Sequence, residues 1–427
     1  MKVELKKLER GQVELTIELT ISEYQPFLEQ AAKEISKNIN IQGFRPGKAD
    51  FETVKKKVGE AEIWSQAFEP AVHKTFVQAL DEQKLITVGN PQVDIVKLEP
   101  GNPISYKAIV SLLPQSKITD YTKLEVAKKE IKIKDDQINK VVDDIRKNRA
   151  TETLVDRAAK LNDKVEIDFQ TFLDKVPIEH GTEKKFPLVI GEKTFIPGFE
   201  DQLVGMKKGE TKNFPLEFPK NYHQKNLAGR QADFTVTLNA VYELNLPELN
   251  DEFAKTLGNF KTVADLKDQI KNNLTIEEEN KENRRLEEEI LDKIIAQSKF
   301  DDIPDILIDS ETKKMVDELE HNLSHQGIKF EDYLTHLGKT KADLLIDFVP
   351  QAIKRVKSAL IVRSVAETEK IKATAEEVEN EIMKTLEAYG GNPDVEKQLT
   401  SQAYRDYLKN TIASRKVVEH LKSAMVK

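Results

Sequence analysis

Residues 186–218 read FPLVIGEKTFIPGFEDQLVGMKKGETKNFPLEF, and this stretch decides how the middle of the chain folds. Its apolar runs are short and each is bounded by glycine or proline, which is typical of strands joined by turns. Eight of the chain's 18 phenylalanines lie within residues 161–245. We therefore predict a compact β-sheet domain with a short helix over residues 151–245. Its predicted strands are Val165–Phe169, Phe186–Ile190, Thr211–Leu216 and Phe234–Tyr242.

Residues 1–114, which precede this region, mix strand and helix patterns. A strand with one apolar face is predicted after a turn at Gly11-Gln12. Its apolar residues are Val13, Leu15, Ile17 and Leu19. Ser22 is expected to cap a first helix, another helix is predicted over residues 60–83, and a hairpin around Pro100-Gly101 closes an α+β region.

The rest of the chain reads as helix. Residues 115–150 are expected to be a connector that packs with the C-terminal part, and residues 246–427 are overwhelmingly helical in pattern. A helix predicted from Thr262 to about Phe300 has one apolar residue in 277–289, so it cannot be buried around its circumference. We expect it to project as an arm or as one limb of a helical pair. The predicted fold is an elongated, multidomain α+β protein whose C-terminal domain is all-α.

Composition excludes several classes of protein. The 427 residues carry a net charge of −8 and no cysteine, so disulfides, thiolate metal sites and cysteine nucleophiles are ruled out. No GxxxxGK[ST], GxGxxG, GxSxG or HExxH motif is present, so no cofactor or metal is expected. His321 and His325 have helical i,i+4 spacing but no third ligand nearby in the sequence. With no apolar run long enough for a membrane span and no signal-peptide core, a cytoplasmic protein is predicted.

The sequence Gly43-Phe44-Arg45-Pro46-Gly47-Lys48 predicts a tight loop that displays an aromatic ring between two glycines, together with two cations. A phenylalanine offers apolar contact, and an arginine offers a planar fork for phosphate or carboxylate. Such a tip suits docking on a ribonucleoprotein surface. From the residues alone, an ordinary solvated turn remains the alternative.

This loop resembles the GFRxGK signature of the trigger factor family, bacterial chaperones associated with the ribosome. Further segments match in the same order along the chain. FIPGFE at 195–200, EFPKNYH at 217–223 and NLAG at 226–229 are similar to the FKBP-type prolyl isomerase domain of that family, and LPELNDEFA at 246–254 resembles the entry to its C-terminal domain. The resemblance spans nearly the whole chain.

The resemblance implies that Gly43, Phe44, Arg45 and Lys48 contact the ribosome near the exit of its tunnel. Residue 50 is an aspartate where the family often has a proline, and we expect Asp50 to cap the next helix instead. The domains implied are a ribosome-binding domain over 1–114, the connector over 115–150, the isomerase domain over 151–245 and a chaperone domain over 246–427.

Prolyl isomerisation needs no acid, base or metal, because an apolar cleft can favour the twisted amide over the planar one. The resemblance assigns the wall of that cleft to Phe169, Phe186, Phe195, Ile196, Phe199, Tyr222 and Phe234. The backbone N–H of Ile196 and the side chain of Tyr222 would supply polar contacts, with Phe218 packed behind, while Phe172 and Phe214 are interpreted as core. Ile178 stands where the family usually has a phenylalanine, so the strength of the activity stays open.

The function implied is ATP-independent chaperoning of nascent and unfolded polypeptides at the ribosome, with peptidyl-prolyl cis-trans isomerase activity. Family members often dimerise off the ribosome, so a homodimer is one expected state. No membrane partner is expected. The alternatives from other classes are a stand-alone prolyl isomerase whose helices only recruit substrate, and an assembly chaperone that works without ribosomes.

Overall fold

A computed structural model describes residues 1–222, 224–225, 227–389 and 393–427, without the side chains of residues 179, 180, 388 and 389. His223 and Asn226, which belong to the isomerase-like motif, therefore lie outside the described residues. The chain divides into two compact units. The first comprises Met1–Lys128 and Asn283–Lys427, and the second comprises Lys129–Glu282.

The first unit begins with an antiparallel four-stranded sheet in the order β1-β2-β4-β3. Its strands are β1 Lys2–Lys7, β2 Gln12–Leu19, β3 Thr87–Lys97 and β4 Ile104–Leu112. The four alternating apolar residues of β2 are all buried, as their spacing predicts, because side chains two apart share one face. The hairpin predicted around Pro100-Gly101 joins β3 to β4.

Three helices lie between β2 and β3, namely α1 Ile21–Asn38, α2 Phe51–Val58 and α3 Glu60–Gln83. The prediction that Ser22 caps α1 is wrong, because Thr20 is the N-cap and forms a capping box with Glu23. Tyr24 of α1 donates a 3.0 Å hydrogen bond to the carbonyl oxygen of Trp64 in α3, and their ring centroids are 5.2 Å apart. These contacts fix α1 on α3 over the buried face of the sheet.

The second part of the first unit is helical, as predicted. It contains the short strand β11 Lys299–Phe300, paired with β5 Ser116–Lys117, and a series of helices after that strand. The helices are α7 Asp305–His325, α8 Phe330–Leu337, α9 Lys341–Thr368, α10 Ala375–Tyr389, α11 Pro393–Leu399 and α12 Gln402–Met425. Thr340 caps α9 and forms a capping box with Asp343.

The early part of the predicted connector packs against this helical part. Val126 is fully buried and pairs in parallel with Val426 just beyond α12. Ile118, Tyr121 and Leu124 pack on the same apolar cluster. Residues 116–126 therefore complete a core whose other members come from the far end of the chain.

The second unit contains the predicted β-sheet domain, with helices before and after it along the chain. The helices are α4 Asp135–Asn148, α5 Asp251–Thr256 and the first part of α6 Val263–Gln297, in which the division between units falls. Ile138 and Val142 of α4 pack with Leu266 and Ile270 of α6.

The sheet of the second unit is antiparallel and has the order β6-β10-β7-β8, with β9 also paired to β10. Its strands are β6 Thr151–Leu154, β7 Lys164–Leu173, β8 Val176–Val189, β9 Thr211–Glu217 and β10 Gln231–Asn245. The four predicted strands are present. β8 begins ten residues before the predicted start at Phe186, because polar residues such as Thr182 and Glu183 also pair with β7.

Candidate functional site

Aromatic rings from several strands and loops of the second unit form one cluster. The ring centroid of Phe169 of β7 lies 5.8 Å from that of Phe186 of β8 and 5.3 Å from that of Phe195 of the loop after β8. Phe195 also stacks on Phe199 at 4.2 Å, with the ring planes 20° apart. The structure thus brings together rings from two strands and one loop that the sequence places up to 30 residues apart.

Burial divides this cluster into a floor and a wall. Phe199 and Phe234 are 0% and 3% exposed, and their centroids are 5.5 Å apart, so they form the floor. The wall consists of side chains that are only half-buried and so remain open to solvent on one side, namely Phe169, Phe186, Phe195, Ile196 and Tyr222. All seven residues predicted for the wall are in one cluster, and two of them lie beneath the other five.

Tyr222 stands at one end of the wall and rests on Phe218. Their centroids are 4.7 Å apart, and the Tyr222 backbone N–H donates a 2.9 Å hydrogen bond to the carbonyl oxygen of Pro219. Phe218 is buried and lies 6.1 Å from Phe234, so it packs behind the site as predicted. Phe214 is also buried, as expected for a core residue, whereas Phe172 is half-buried.

The loop after β8 supplies the polar contact that an amide substrate needs. Among the described residues, the Ile196 backbone N–H has no hydrogen-bond partner, while the Ile196 carbonyl oxygen accepts from the Phe199 N–H at 3.1 Å. A free donor beside an apolar wall can bind a peptide carbonyl oxygen. The arrangement can therefore hold a peptide and stabilise a less polar, twisted amide without proton transfer.

Ile178 packs against the aromatic cluster from β8, in the position where an aromatic residue was expected from the resemblance. It is half-buried, and its Cγ1 atom lies 2.3 Å from the place where a Cβ on Gly181 would stand. An aliphatic side chain therefore fills this part of the rim. The resemblance identifies the exchange, whereas the closeness of Gly181 is seen only in the structure, where the pairing of β7 with β8 shifts register between Gln170 and Phe172.

The second candidate site is the loop 43–48 in the first unit. Gly43 and Gly47 have φ angles of +88° and +76°, a region that favours glycine, and the Gly47 N–H donates to the Ser36 carbonyl oxygen at 3.0 Å. Phe44 is 42% exposed, although a phenylalanine is an apolar residue. Arg45 and Lys48 are exposed and have no ion-pair partner among the described residues. The loop thus presents a ring and two unpaired cations to solvent.

Asp50 holds the far end of this loop. Its side chain caps α2 by accepting hydrogen bonds from the Thr53 N–H at 2.8 Å and the Thr53 hydroxyl at 3.1 Å. These bonds lower the pKa of Asp50. The prediction that Asp50 caps the next helix is confirmed.

The described residues contain neither a metal-binding cluster nor a helix suited to span a membrane. His321 and His325 face each other on α7 with their Nε2 atoms 2.9 Å apart, but no group of three potential ligands occurs in the part of the chain that the structure describes. Over the same residues, no helix is both long and apolar enough to cross a bilayer.

Comparison with known protein families covers most of the chain. Residues 1–145 match the family described as bacterial trigger factor protein, and residues 262–423 match the C-terminus of the same family. Residues 155–241 match the FKBP-type peptidyl-prolyl cis-trans isomerase family.

Individual relatives match over nearly their full length. A trigger factor of Carboxydothermus hydrogenoformans is 35% identical over 99% of this chain and 98% of the relative. One from Caldicellulosiruptor bescii is 32% identical over 99% of this chain and 96% of the relative. A solved structure described as "Promiscuous Substrate Recognition in Folding and Assembly Activities of the Trigger Factor Chaperone" is 21% identical over 99% of both chains, with a TM-score of 0.48.

Proposed function

The chain belongs to the trigger factor family, a family of chaperones with an FKBP-type isomerase domain, and we propose how its two candidate sites divide the work. The loop 43–48 docks the protein on the ribosome near the tunnel exit. The aromatic cluster binds X–Pro segments of nascent and unfolded chains and speeds their isomerisation. Chaperoning uses no ATP and takes place in the cytoplasm, and a homodimer forms away from the ribosome.

One observation carries the isomerase part of the proposal. Five half-buried apolar or aromatic side chains lie over two buried rings, and the N–H of Ile196, one of the five, has no hydrogen-bond partner among the described residues. An X–Pro amide crosses a rotational barrier of about 18–20 kcal/mol. Apolar walls lower this barrier because the twisted amide is less polar than the planar one, and the N–H holds the neighbouring carbonyl oxygen in place.

The docking part of the proposal rests on the exposure of the loop. Burying the Phe44 ring on a partner would remove apolar surface from water, and Arg45 and Lys48 are free to pair with phosphate or carboxylate groups. No intramolecular ion pair among the described residues has to be broken first. Weak contacts at several points also allow release without an energy source.

Co-sedimentation with purified bacterial ribosomes tests the docking site. We expect the native chain to pellet and a Phe44→Ala, Arg45→Ala variant to stay in the supernatant. An Ile95→Ala, Lys97→Ala variant is the matched control, because it removes one exposed apolar side chain and one exposed cation from β3 of the same unit. The control should pellet like the native chain. Failure of the native chain to pellet at low salt would favour the ribosome-independent alternatives.

Two assays separate the isomerase from the chaperone activity. Phe195→Ala should reduce kcat/KM for a prolyl peptide, because it removes a ring that stacks on the floor of the cluster. The same variant should still suppress the aggregation of an unfolded client. Parallel loss of both activities would favour the stand-alone isomerase alternative, in which the helices only deliver substrate.

A further inference from the structure

The loop that carries Phe195 and Ile196 is held by a single buried carboxylate. Glu200 is 6% exposed and lies in a short 3-10 turn, Glu200–Gln202. One of its oxygens accepts from the N–H groups of Gly191 at 2.7 Å and Lys193 at 2.9 Å. The other accepts from the Thr194 N–H at 2.7 Å and more weakly from the Phe195 N–H at 3.4 Å and the Thr194 hydroxyl at 3.3 Å.

Few other bonds hold this segment. The ladder of β8 ends at Val189, and the Glu192 N–H makes a long 3.4 Å bond to the Val189 carbonyl oxygen. The other four N–H groups of residues 191–195 all point to Glu200. The next N–H, that of Ile196 in the candidate site, has no hydrogen-bond partner within the part of the chain that the structure describes.

The Glu200 carboxylate, which anchors the loop, is also next to the floor of the site. Glu200 follows Phe199 directly, and the Phe199 ring stacks on Phe195. The carboxylate and the ring therefore fix both the backbone and the side chain of residue 195 from one short turn. Burial raises the pKa of Glu200, but the backbone hydrogen bonds outweigh it and the pKa lies below its usual value, so the group is ionised at neutral pH.

We propose that Glu200 is a positioning residue for prolyl isomerisation, whose carboxylate shapes loop 191–195 so that the Ile196 N–H and the Phe195 ring face the substrate. This inference rests on the isomerase function proposed above. Glu200 transfers no proton and touches no substrate. Its sequence neighbours gave no hint of this role, because its partners are backbone groups.

The full-length Glu200→Gln variant tests the proposal. Glutamine has the same size but replaces one acceptor oxygen with an NH₂ group that faces the loop's own donors. Because small misplacements of binding groups cost up to about 100-fold, we expect kcat/KM for a prolyl peptide to fall by about 10- to 100-fold. In the native chain, added peptide should shift the Ile196 amide NMR signal, and this shift should vanish in the variant while the signals of β7 and β10 stay in place.

Asp163→Asn is the matched control. Asp163 is also buried, and it accepts from the Lys160 N–H at 2.8 Å and from Arg157 at 2.6 Å, so its loss removes comparable bonds from another turn of the same domain. Its kcat/KM should stay within about twofold of the native value. The proposal is overturned if Glu200→Gln also stays within twofold, or if both variants lose activity equally.

A measurement on the native chain covers the case in which Glu200→Gln does not fold. Amide hydrogen exchange at Gly191, Lys193 and Thr194 should be strongly and jointly protected, and exchange at the rate of an unfolded chain would refute the anchor. A native chain without any isomerase activity would instead refute the proposed function. An active native chain with an equally active variant would refute only the role of Glu200.

Discussion

Replacing Phe199 with alanine is the sharpest test of the aromatic cluster. The ring is fully buried and contacts four other rings, with centroids 4.2 Å from Phe195, 5.5 Å from Phe234, 5.6 Å from Phe214 and 6.2 Å from Phe169. Among the described residues, no other ring in the cluster contacts both the loop and three strands. Its removal therefore leaves a cavity that the surrounding strands cannot readily fill.

The expected loss follows from this burial. Phenylalanine-to-alanine changes in cores cost about 3–5 kcal/mol, and each aromatic pair adds about 0.5–1.5 kcal/mol beyond its area. Since such terms are not additive, we expect a loss of about 4 kcal/mol. A single domain is stable by about 5–15 kcal/mol, so the variant should still fold. With a slope of about 1.5 kcal/mol per molar urea, the midpoint should fall by roughly 2–3 M.

Amide hydrogen exchange of peptides from β7 and β10 across a urea series measures this shift. The chain's single tryptophan, Trp64, lies in the other unit and serves as an internal reference. Its fluorescence transition should not move. Phe44→Ala, at a ring that is 42% exposed, is the control and should change stability by less than about 0.5 kcal/mol. A loss below about 1 kcal/mol for Phe199→Ala would refute the packing described here.

Three further predictions concern the first unit, and the fluorescence of its tryptophan during unfolding measures each of them. Hydrogen bonds from the amino terminus and the Thr20 cap lower the pKa of Glu23 to about 2. The ionised Glu23 therefore contributes fully to the free energy of unfolding above about pH 4.5, and this contribution is lost as the pH falls towards 2. Glu23→Gln should remove this dependence of stability on acid pH. If stability falls with pH equally in the native chain and the variant, the prediction is contradicted. Gly11→Ala should cost at least twice the roughly 1 kcal/mol of Gly101→Ala. Both glycines have positive φ, but only at Gly11 would the added Cβ meet a backbone oxygen, at 2.7 Å, so equal costs would refute that contact. Asp50→Ala should cost about 0.5–2 kcal/mol through the lost cap of α2, and an unchanged midpoint would argue against it.

Local patterns predicted most of the secondary structure. The period-two face of β2 and the helix over 60–83 are present at nearly the predicted positions because each buries one apolar face on its neighbours. The sequence also contained the pattern that identifies Thr20, and not Ser22, as the N-cap of α1. Glu23 stands three residues after Thr20, which is the spacing of a capping box.

Features that depend on distant partners escaped prediction. The polar residues Thr182 and Glu183 of β8 lie in a strand because they pair with β7. Phe199 and Phe234 were assigned to the wall with the other aromatics, but their depth is set by packing across the sheet, which spacing alone does not encode. Glu200 ends the FIPGFE motif, but nothing in a carboxylate's sequence neighbours shows that it binds backbone N–H groups.

The pairing of Val126 with Val426 has a consequence for how the protein is made. About 300 residues separate the two, and synthesis at about 5–20 residues per second takes roughly 15–60 seconds to cover them. The strands from β6 to β10, by contrast, are complete within about 95 residues. The second unit can therefore fold before α12 of the first unit has been synthesised. During that interval Val126 has no access to Val417, Leu421 and Met425, which bury it in the finished protein. For most of its own synthesis the chain exposes apolar surface of the kind it is proposed to bind in other proteins.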